Sequence, residues 1–219
     1  MSDLLAKFSE LYSKETLVNA LNDFNWLGNS TSEARQIRKN VYHKYSSWVK
    51  GGCSLNSAQD MAQLVYGWGF NGRKVPAGVS KNLNLFCEFN KAWESSSKGE
   101  VKVRILAEIL SLNGIGIASA SKWVGFIDET RYAIYDSRVS LALRPLTIDG
   151  KRAFPTVARK STKFKKYPHA DYRTNVTMAR DYLNYCNFLN DIAIEYGFAN
   201  LADIEMALFM LGDDQQNWK

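Results

Sequence analysis

Cysteine, proline and long apolar runs are scarce in this 219-residue chain, and each shortage excludes a class of protein. The three cysteines, Cys53, Cys87 and Cys186, lack C-x-x-C spacing and are too few to hold an iron–sulfur cluster through four thiolates. We therefore expect a reducing compartment, no metal and no other cofactor. No run approaches the roughly eighteen apolar residues of a membrane span, and the N-terminus mixes acidic and basic residues. We expect a soluble, unexported, cytoplasmic protein.

The few prolines leave long stretches in which apolar residues recur every three or four positions, and this spacing predicts an all-α fold. Two segments break the helical pattern: the glycine-rich residues 67–74, which follow a helix ending at about residue 66, and the basic residues 144–173. We expect loops in both segments and no strand pair. The last two helices are predicted over residues 175–196 and 201–211.

Positive charge is concentrated in one segment. The whole chain has a formal charge of +6, while residues 144–173 contain nine Lys and Arg against two Asp. This segment is either a solvated loop or a surface that contacts phosphates, and Lys163, Lys165 and Lys166 are its candidate DNA-binding residues.

The most informative segment places two helices around a short glycine turn, Asn113-Gly114-Ile115-Gly116. Glycines allow a tight turn and leave N–H groups pointing outward at a helix N-terminus, where a phosphate can bind. We expect Gly116 to supply a positive φ. This core, together with Ala120, resembles the helix-hairpin-helix of the DNA glycosylase superfamily and of other DNA binders that ignore sequence. The alternative is an ordinary packing corner between two helices.

Asp136 narrows the resemblance, because it lies twenty residues after Gly116 at the predicted start of a helix, three residues before the apolar Val139. An aspartate occupies this place in the glycosylases of that superfamily, and the resemblance therefore implies a catalytic Asp136. A fixed carboxylate can stabilise the positive charge that develops on deoxyribose and can orient the attacking water. The other interpretation of Asp136 is a plain helix N-cap, worth about 1 kcal/mol. The specific resemblance covers residues 103–143.

Two departures from the family pattern define the expected chemistry. The bifunctional members have a nucleophilic lysine two residues after the second hairpin glycine, where this chain has Ala118. The resemblance therefore implies a monofunctional glycosylase that uses water and leaves an abasic site. Lys122 lies one turn further along the same helix face. It is a contact to the base or a phosphate, a displaced nucleophile that would make a glycosylase/lyase, or a solvent-facing lysine.

Base flipping would need a wedge and an aromatic pocket. The segment Trp68-Gly69-Phe70-Asn71-Gly72-Arg73-Lys74 combines aromatic bulk, an amide and two cations. Asn71, Arg73 and Lys74 are its candidate DNA contacts. Candidates for the base pocket are Ala118, Lys122, Trp68, Phe70 and Phe209. The aromatic residues of this group could equally anchor a loop or fill the core.

The expected architecture is a two-lobed helix-hairpin-helix glycosylase fold, with residues 28–130 in one lobe and residues 1–27 joined by 131–219 in the other. The expected partner is double-stranded DNA, bound by a monomer. A small Ala118 would leave space for a bulky base, such as the glucosylated hydroxymethylcytosine that phage-defence glycosylases remove. The rival from another class is a DNA-binding module without catalysis.

Overall fold

The computed structural model describes residues 2–69, 74–96, 98–126, 128–157 and 173–214. The prediction of an all-α protein is confirmed, because the described residues form eleven helices and only one two-stranded sheet. The helices in chain order are α1 (Ser2–Leu11), α2 (Lys14–Asn22), α3 (Thr31–Lys50), α4 (Leu55–Gly69), α5 (Ala77–Ser80), α6 (Leu83–Ser95), α7 (Gly99–Leu110), α8 (Ile117–Gly125), α9 (Ser137–Ala142), α10 (Asn175–Tyr196) and α11 (Leu201–Asp214).

Helix ends follow local chemistry that can be read in the sequence. At the start of α3, the Glu33 carboxylate accepts hydrogen bonds from the backbone N–H and the hydroxyl of Ser30, both at 2.7 Å. At the start of α10, the hydroxyl of Thr174 accepts a hydrogen bond from Thr177 N. At its other end, Gly197 caps the helix with φ +70. Such caps satisfy backbone groups that a helix end leaves without intrahelical partners.

Buried apolar side chains from nearly all elements form one continuous core. Within it, the fully buried Trp123 of α8 contacts the rings of Tyr45, Trp48, Tyr66 and Phe86. Helix α11 packs against α2 and α9, and α10 packs against α7. The N-terminal helices thus meet the C-terminal ones, while the division into two lobes stays a prediction.

Two local expectations are wrong. Helix α4 continues to Gly69 rather than ending near residue 66, which places Trp68 on a helix. The basic segment contains a hairpin, in which β1 (Thr147–Ile148) pairs antiparallel with β2 (Lys151–Arg152). Asp149 and Gly150 both have positive φ in its turn, and Asp-Gly is a common signal for a two-residue hairpin turn.

Three further observations concern the cysteines, membrane-spanning helices and metal ligands. Cys53, Cys87 and Cys186 are buried, and none of the three forms a disulfide. Among the described helices, none combines the length and apolar character needed to cross a bilayer. In the same part of the chain, no group of three or more His, Cys, Asp or Glu side chains converges as metal ligands.

Candidate active site

Helices α7 and α8 form a helical hairpin around the predicted glycine turn. Gly114 has the left-handed conformation, with φ +79, whereas Gly116 is extended, with φ −105. The expectation that Gly116 supplies a positive φ is therefore wrong, because Gly114 makes the tight turn. Asn113, Gly114 and Gly116 are exposed, but the Ile115 side chain is buried and anchors the turn to the core. Of Ile115, only the backbone is available to a DNA phosphate.

The N-terminus of α8 presents backbone donors at this turn. Within the described residues, the N–H groups of Gly114 and Gly116 donate no backbone hydrogen bond. A Cβ atom built on either glycine would meet no atom within 4 Å, so other parts of the protein do not cover the two glycines. Exposed donors at a helix N-terminus are suited to a phosphate oxygen.

Residues 132–135, which directly precede Asp136, are buried, and three hydroxyl groups form hydrogen bonds to their backbone. Ser121 on α8 accepts a hydrogen bond from Tyr135 N at 2.9 Å. From α10, the hydroxyls of Tyr182 and Tyr185 donate to the carbonyl oxygens of Ala133 and Ile134, each at 2.9 Å. The position of Asp136 is therefore fixed by bonds to both the hairpin and α10.

Asp136 is the N-cap of α9 and also lines a pocket. Its Oδ1 atom accepts hydrogen bonds from Arg138 N at 2.9 Å and Val139 N at 3.0 Å. Within the described residues, these are the hydrogen bonds that the carboxylate accepts, and they engage one of its two oxygens. The two sequence interpretations of Asp136, N-cap and pocket carboxylate, therefore hold together.

The pocket beside Asp136 has aromatic walls and several charged groups. About 300 Å³ of space lies between its walls, including solvent at the mouth, but the centre of a water molecule can occupy only about 20 Å³ of it. A base could enter only if side chains moved. The lining residues are Phe24, Trp26, Arg38, Trp68, Gly69, Lys122, Ile134, Asp136, Glu205 and Phe209.

Lys122 reaches this pocket instead of solvent. Only 4% of the residue is exposed, so the solvent-facing alternative is wrong. Its Nζ donates to the carbonyl oxygen of Ala118 at 3.4 Å, and a Cβ built on Gly69 would lie 2.4 Å from its Cδ. Burial lowers the pKa of the Lys122 ammonium, while the nearby carboxylates of Asp136 and Glu205 oppose that shift.

A buried ion pair between α3 and α11 forms another part of the wall. Arg38 Nη2 lies 2.6 Å from Glu205 Oε2, and the side chains are 7% and 4% exposed. Burial raises the pKa of the Glu205 carboxyl, and the Arg38 guanidinium acts against that shift. A second pair, Arg35 with Asp203 at 2.8 Å, joins the same helices but does not line the pocket.

The candidates for the base pocket differ in whether they line the pocket beside Asp136. Trp68 and Phe209 both line the pocket, and Phe209 makes an edge contact with Trp26 at a ring distance of 5.3 Å. Because Phe209 is 6% exposed and also packs on Phe24, it is both a wall of the pocket and part of the core. Ala118 is partly exposed and does not line the pocket. The pocket therefore does not gain space for a bulky base from the small Ala118, and the Lys122 side chain enters it.

Some predicted DNA contacts cannot be placed. Lys74 is exposed, after α4. The other candidates of these two sequence segments lie outside the described residues: Phe70, Asn71, Arg73, Lys163, Lys165 and Lys166.

Six residues that line the pocket were not predicted as site residues from the sequence: Phe24, Trp26, Arg38, Gly69, Ile134 and Glu205. A signal for the two charges exists, because Arg38 lies three residues before the buried Val41 and four after the buried Ala34. Likewise, Glu205 lies within the buried run 201–209. A charge on the apolar face of a helix is buried with a partner or serves a site. No comparable sequence signal marks Trp26 or Gly69.

A separate pocket of about 410 Å³, including solvent at its mouth, lies between α9 and residues 152–157. Its polar side chains include Ser140, Arg144, Arg152 and Thr156, and none of the described residues that line it is acidic.

No model of a known protein family, no curated protein and no solved structure matches this chain.

Proposed function

We propose that this protein is a DNA glycosylase that hydrolyses the N-glycosidic bond of a flipped base. The observation that carries this proposal is the position of Asp136, which follows an open glycine hairpin and lines an aromatic pocket with only one carboxylate oxygen engaged by the helix cap. A rigid carboxylate next to an aromatic-walled pocket is what the reaction requires. The all-α architecture is compatible with the helix-hairpin-helix glycosylase fold that the sequence resembles.

In the proposed reaction, the bond between C1′ of deoxyribose and the base nitrogen breaks, and its electron pair leaves with the base. The Asp136 carboxylate stabilises the positive charge on the sugar ring. A water oxygen then bonds to C1′, and its proton passes to Asp136 and on to solvent. The departing base takes up a proton, and the product is an abasic site in an intact strand.

The DNA-binding part of the proposal rests on the hairpin and the charge distribution. The turn 113–116 exposes backbone donors next to the N-terminus of α8, which continues to the pocket residue Lys122. One helix thus joins the expected phosphate contact to the expected base pocket. The net charge of +6 favours an anionic partner.

The test is release of a base from DNA, followed by alkali to break abasic sites. The panel contains undamaged DNA and DNA with oxidised, deaminated, methylated or glucosylated bases. We expect Asp136→Asn and Asp136→Ser to lose excision by a factor of about 100 or more. Both side chains keep a cap acceptor for α9, so stability and DNA binding should change little.

Asp149→Asn is the matched control, since it removes a carboxylate from an exposed turn outside the pocket. Full excision by Asp136→Asn would remove Asp136 from the mechanism. Salt-dependent DNA binding without base release from the whole panel would favour the binding module.

A glycosylase/lyase is the second candidate, and the burial of Lys122 in the Asp136 pocket favours it. A lowered pKa increases the fraction of neutral amine, which can attack C1′. The carbon–nitrogen bond to the base breaks as the lysine nitrogen bonds to C1′. Loss of a proton and ring opening give a Schiff base, and β-elimination then cuts the strand.

Borohydride separates the two mechanisms because it reduces a Schiff base to a stable adduct. A covalent protein–DNA band that disappears in Lys122→Met would establish the lyase. With water as nucleophile, no adduct forms and strand breaks require alkali.

A further inference from the structure

The pocket wall contains buried hydrogen-bond donors that the protein itself does not use. Arg38 Nε and Trp68 Nε1 are inaccessible to solvent and donate no hydrogen bond within the described residues. Buried polar groups without a partner cost about 1–3 kcal/mol each, and most are satisfied in folded proteins. Both donors belong to residues that line one pocket, and this favours a ligand that supplies acceptors.

Glu205 supplies an acceptor beside these donors. In the described part of the chain, its carboxylate has one close partner, Arg38 Nη2. The ion pair also connects α3 with α11, so each group restrains the other in the wall. The pocket therefore presents a positioned donor, Arg38 Nε, next to a positioned acceptor, the Glu205 carboxylate.

Three of the four aromatic rings that line the pocket are in contact with cations of the protein. The Arg38 guanidinium lies 5.0 Å from the ring centre of Trp68. The Arg138 guanidinium lies 4.3 Å from the ring centre of Phe209 and 5.5 Å from that of Trp26. An aromatic face attracts a ligand cation when it is available to it, and these faces are occupied by guanidinium groups.

From these contacts we infer that Arg38 and Glu205 determine base specificity, reading the edge of a neutral base that has an acceptor next to an N–H donor. The inference rests on the proposed glycosylase function. The acceptor of the base receives a hydrogen bond from Arg38 Nε, and its N–H group donates to Glu205. Trp68 Nε1 donates to a second acceptor.

These hydrogen-bonding groups and cations favour neutral modified bases over cationic alkylated bases. Oxidised and deaminated bases, and modified cytosines, are neutral and have the required edge. A base alkylated on a purine ring nitrogen is a cation, and it would meet Arg38 and Lys122 in a pocket whose aromatic faces already contact Arg38 and Arg138. The pocket therefore disfavours cationic alkylated bases.

The test measures binding in the Asp136→Asn background, so that it does not depend on catalysis. The DNA probes are duplexes with one central hypoxanthine, uracil, 8-oxoguanine, glucosylated hydroxymethylcytosine or cationic 7-methylguanine, and an undamaged duplex. The measured quantity is the ratio of the Kd for undamaged DNA to the Kd for each modified duplex. We expect at least one neutral base to give a ratio of about 10 or more, and 7-methylguanine to give a ratio near 1.

Glu205→Gln and Arg38→Lys should lower that ratio about tenfold while affinity for undamaged DNA stays the same. Arg38→Lys keeps a cation beside Glu205 but lacks Nε, so it tests the idea even if Glu205→Gln fails to fold. Asp203→Asn is the control, because it alters the neighbouring ion pair of the same two helices outside the pocket. Thermal melting verifies that each variant is folded.

Three results would overturn the inference: preference for 7-methylguanine, no preference for any neutral base, or an unchanged ratio in a folded Arg38 or Glu205 variant. Failure of the proposed function looks different. In that case the chain with Asp136 intact releases no base, while the binding preference and its dependence on Glu205 persist.

Discussion

The Lys122 side chain lies close to Gly69 and leaves little space for a side chain there. Because an added Cβ would lie 2.4 Å from Lys122 Cδ, we predict that Gly69→Ala displaces the lysine and lowers base excision at least tenfold. Gly67→Ala is the control on the same helix, where the added Cβ would lie 3.3 Å from the Gln63 side-chain nitrogen.

A double-mutant cycle in DNA binding isolates the contact. In the Lys122→Ala background, Gly69→Ala should have no further effect on the affinity for modified DNA. An equal effect in both backgrounds would mean that Gly69 does not act through Lys122.

The buried ammonium of Lys122 also predicts how stability depends on pH. In the folded chain the pKa of Lys122 is below 10.5, the usual value that applies in the unfolded chain. Between the lowered pKa and 10.5, the unfolded chain therefore binds a proton that the folded chain has lost. The free energy of unfolding therefore rises with pH in that window. Below it, the full penalty for burying the charge is present.

We predict that Lys122→Met is more stable than the original chain at pH 7, by about 1 kcal/mol. The advantage should shrink as the pH rises toward 10.5, because the penalty is relieved there. Urea unfolding of both proteins at several pH values measures it. An advantage that grows with pH would contradict the assignment.

At the scale of elements, the two hairpin glycines have separate roles. Gly114→Ala places a side chain at φ +79 and should lower the free energy of unfolding by about 1 kcal/mol. Gly116→Val should leave stability nearly unchanged, since φ is −105 and the added Cβ meets no atom. It should still weaken DNA binding about tenfold by blocking the approach of a phosphate.

Chemical unfolding and DNA titration of these two variants separate turn geometry from phosphate contact. Equal DNA affinity of Gly116→Val and the original chain would show that the turn is a packing corner.

The packing of α11 on α9 depends on Gly212. A Cβ at this position would lie 1.9 Å from the carbonyl oxygen of Arg138, a backbone atom that cannot move away cheaply. We predict that Gly212→Ala lowers the free energy of unfolding by about 2 kcal/mol and disturbs Asp136, two residues before Arg138. Gly99→Ala, whose Cβ would meet no atom within 4 Å, is the comparison in thermal melting.

The boundaries of a helix could be predicted where neighbouring residues in the sequence determine them. Apolar spacing and glycine stops identify α3 and α10, and the spacing from Gly116 to Asp136 identifies the cap of α9. The end of α4 was not predictable, because Gly67 and Gly69 read as a break while Trp68 gains enough tertiary contact to extend the helix. The hairpin β1–β2 was missed although its Asp-Gly turn signal was present.

At the scale of the whole molecule, the site could be predicted only in part. Asp136 and Lys122 come from one continuous motif, so sequence spacing places them together. Arg38 and Glu205 are far apart in the chain, and only the packing of the whole protein brings them to 2.6 Å. The same holds for Trp26 and Phe209, whose contact depends on how the N-terminal segment meets α11.

The charge of the whole molecule predicts a strong salt dependence of DNA binding. Each phosphate contact releases counterions, so the logarithm of affinity should fall linearly with the logarithm of salt concentration, with a slope of about −0.9 per contact. Removing the positive charges at positions 163, 165 and 166 together should reduce the slope by about 3. An unchanged slope would assign DNA binding to the hairpin and exclude this part of the basic segment.

Release of a base from DNA is the sharpest test of the proposed glycosylase activity. The chain and its Asp136→Asn variant are incubated with the panel of natural and modified DNAs and then treated with alkali. We predict strand breaks in at least one modified DNA when Asp136 is intact, and a reduction of about 100-fold or more in the Asp136→Asn variant. Tight binding by both proteins with no released base in any DNA would contradict it.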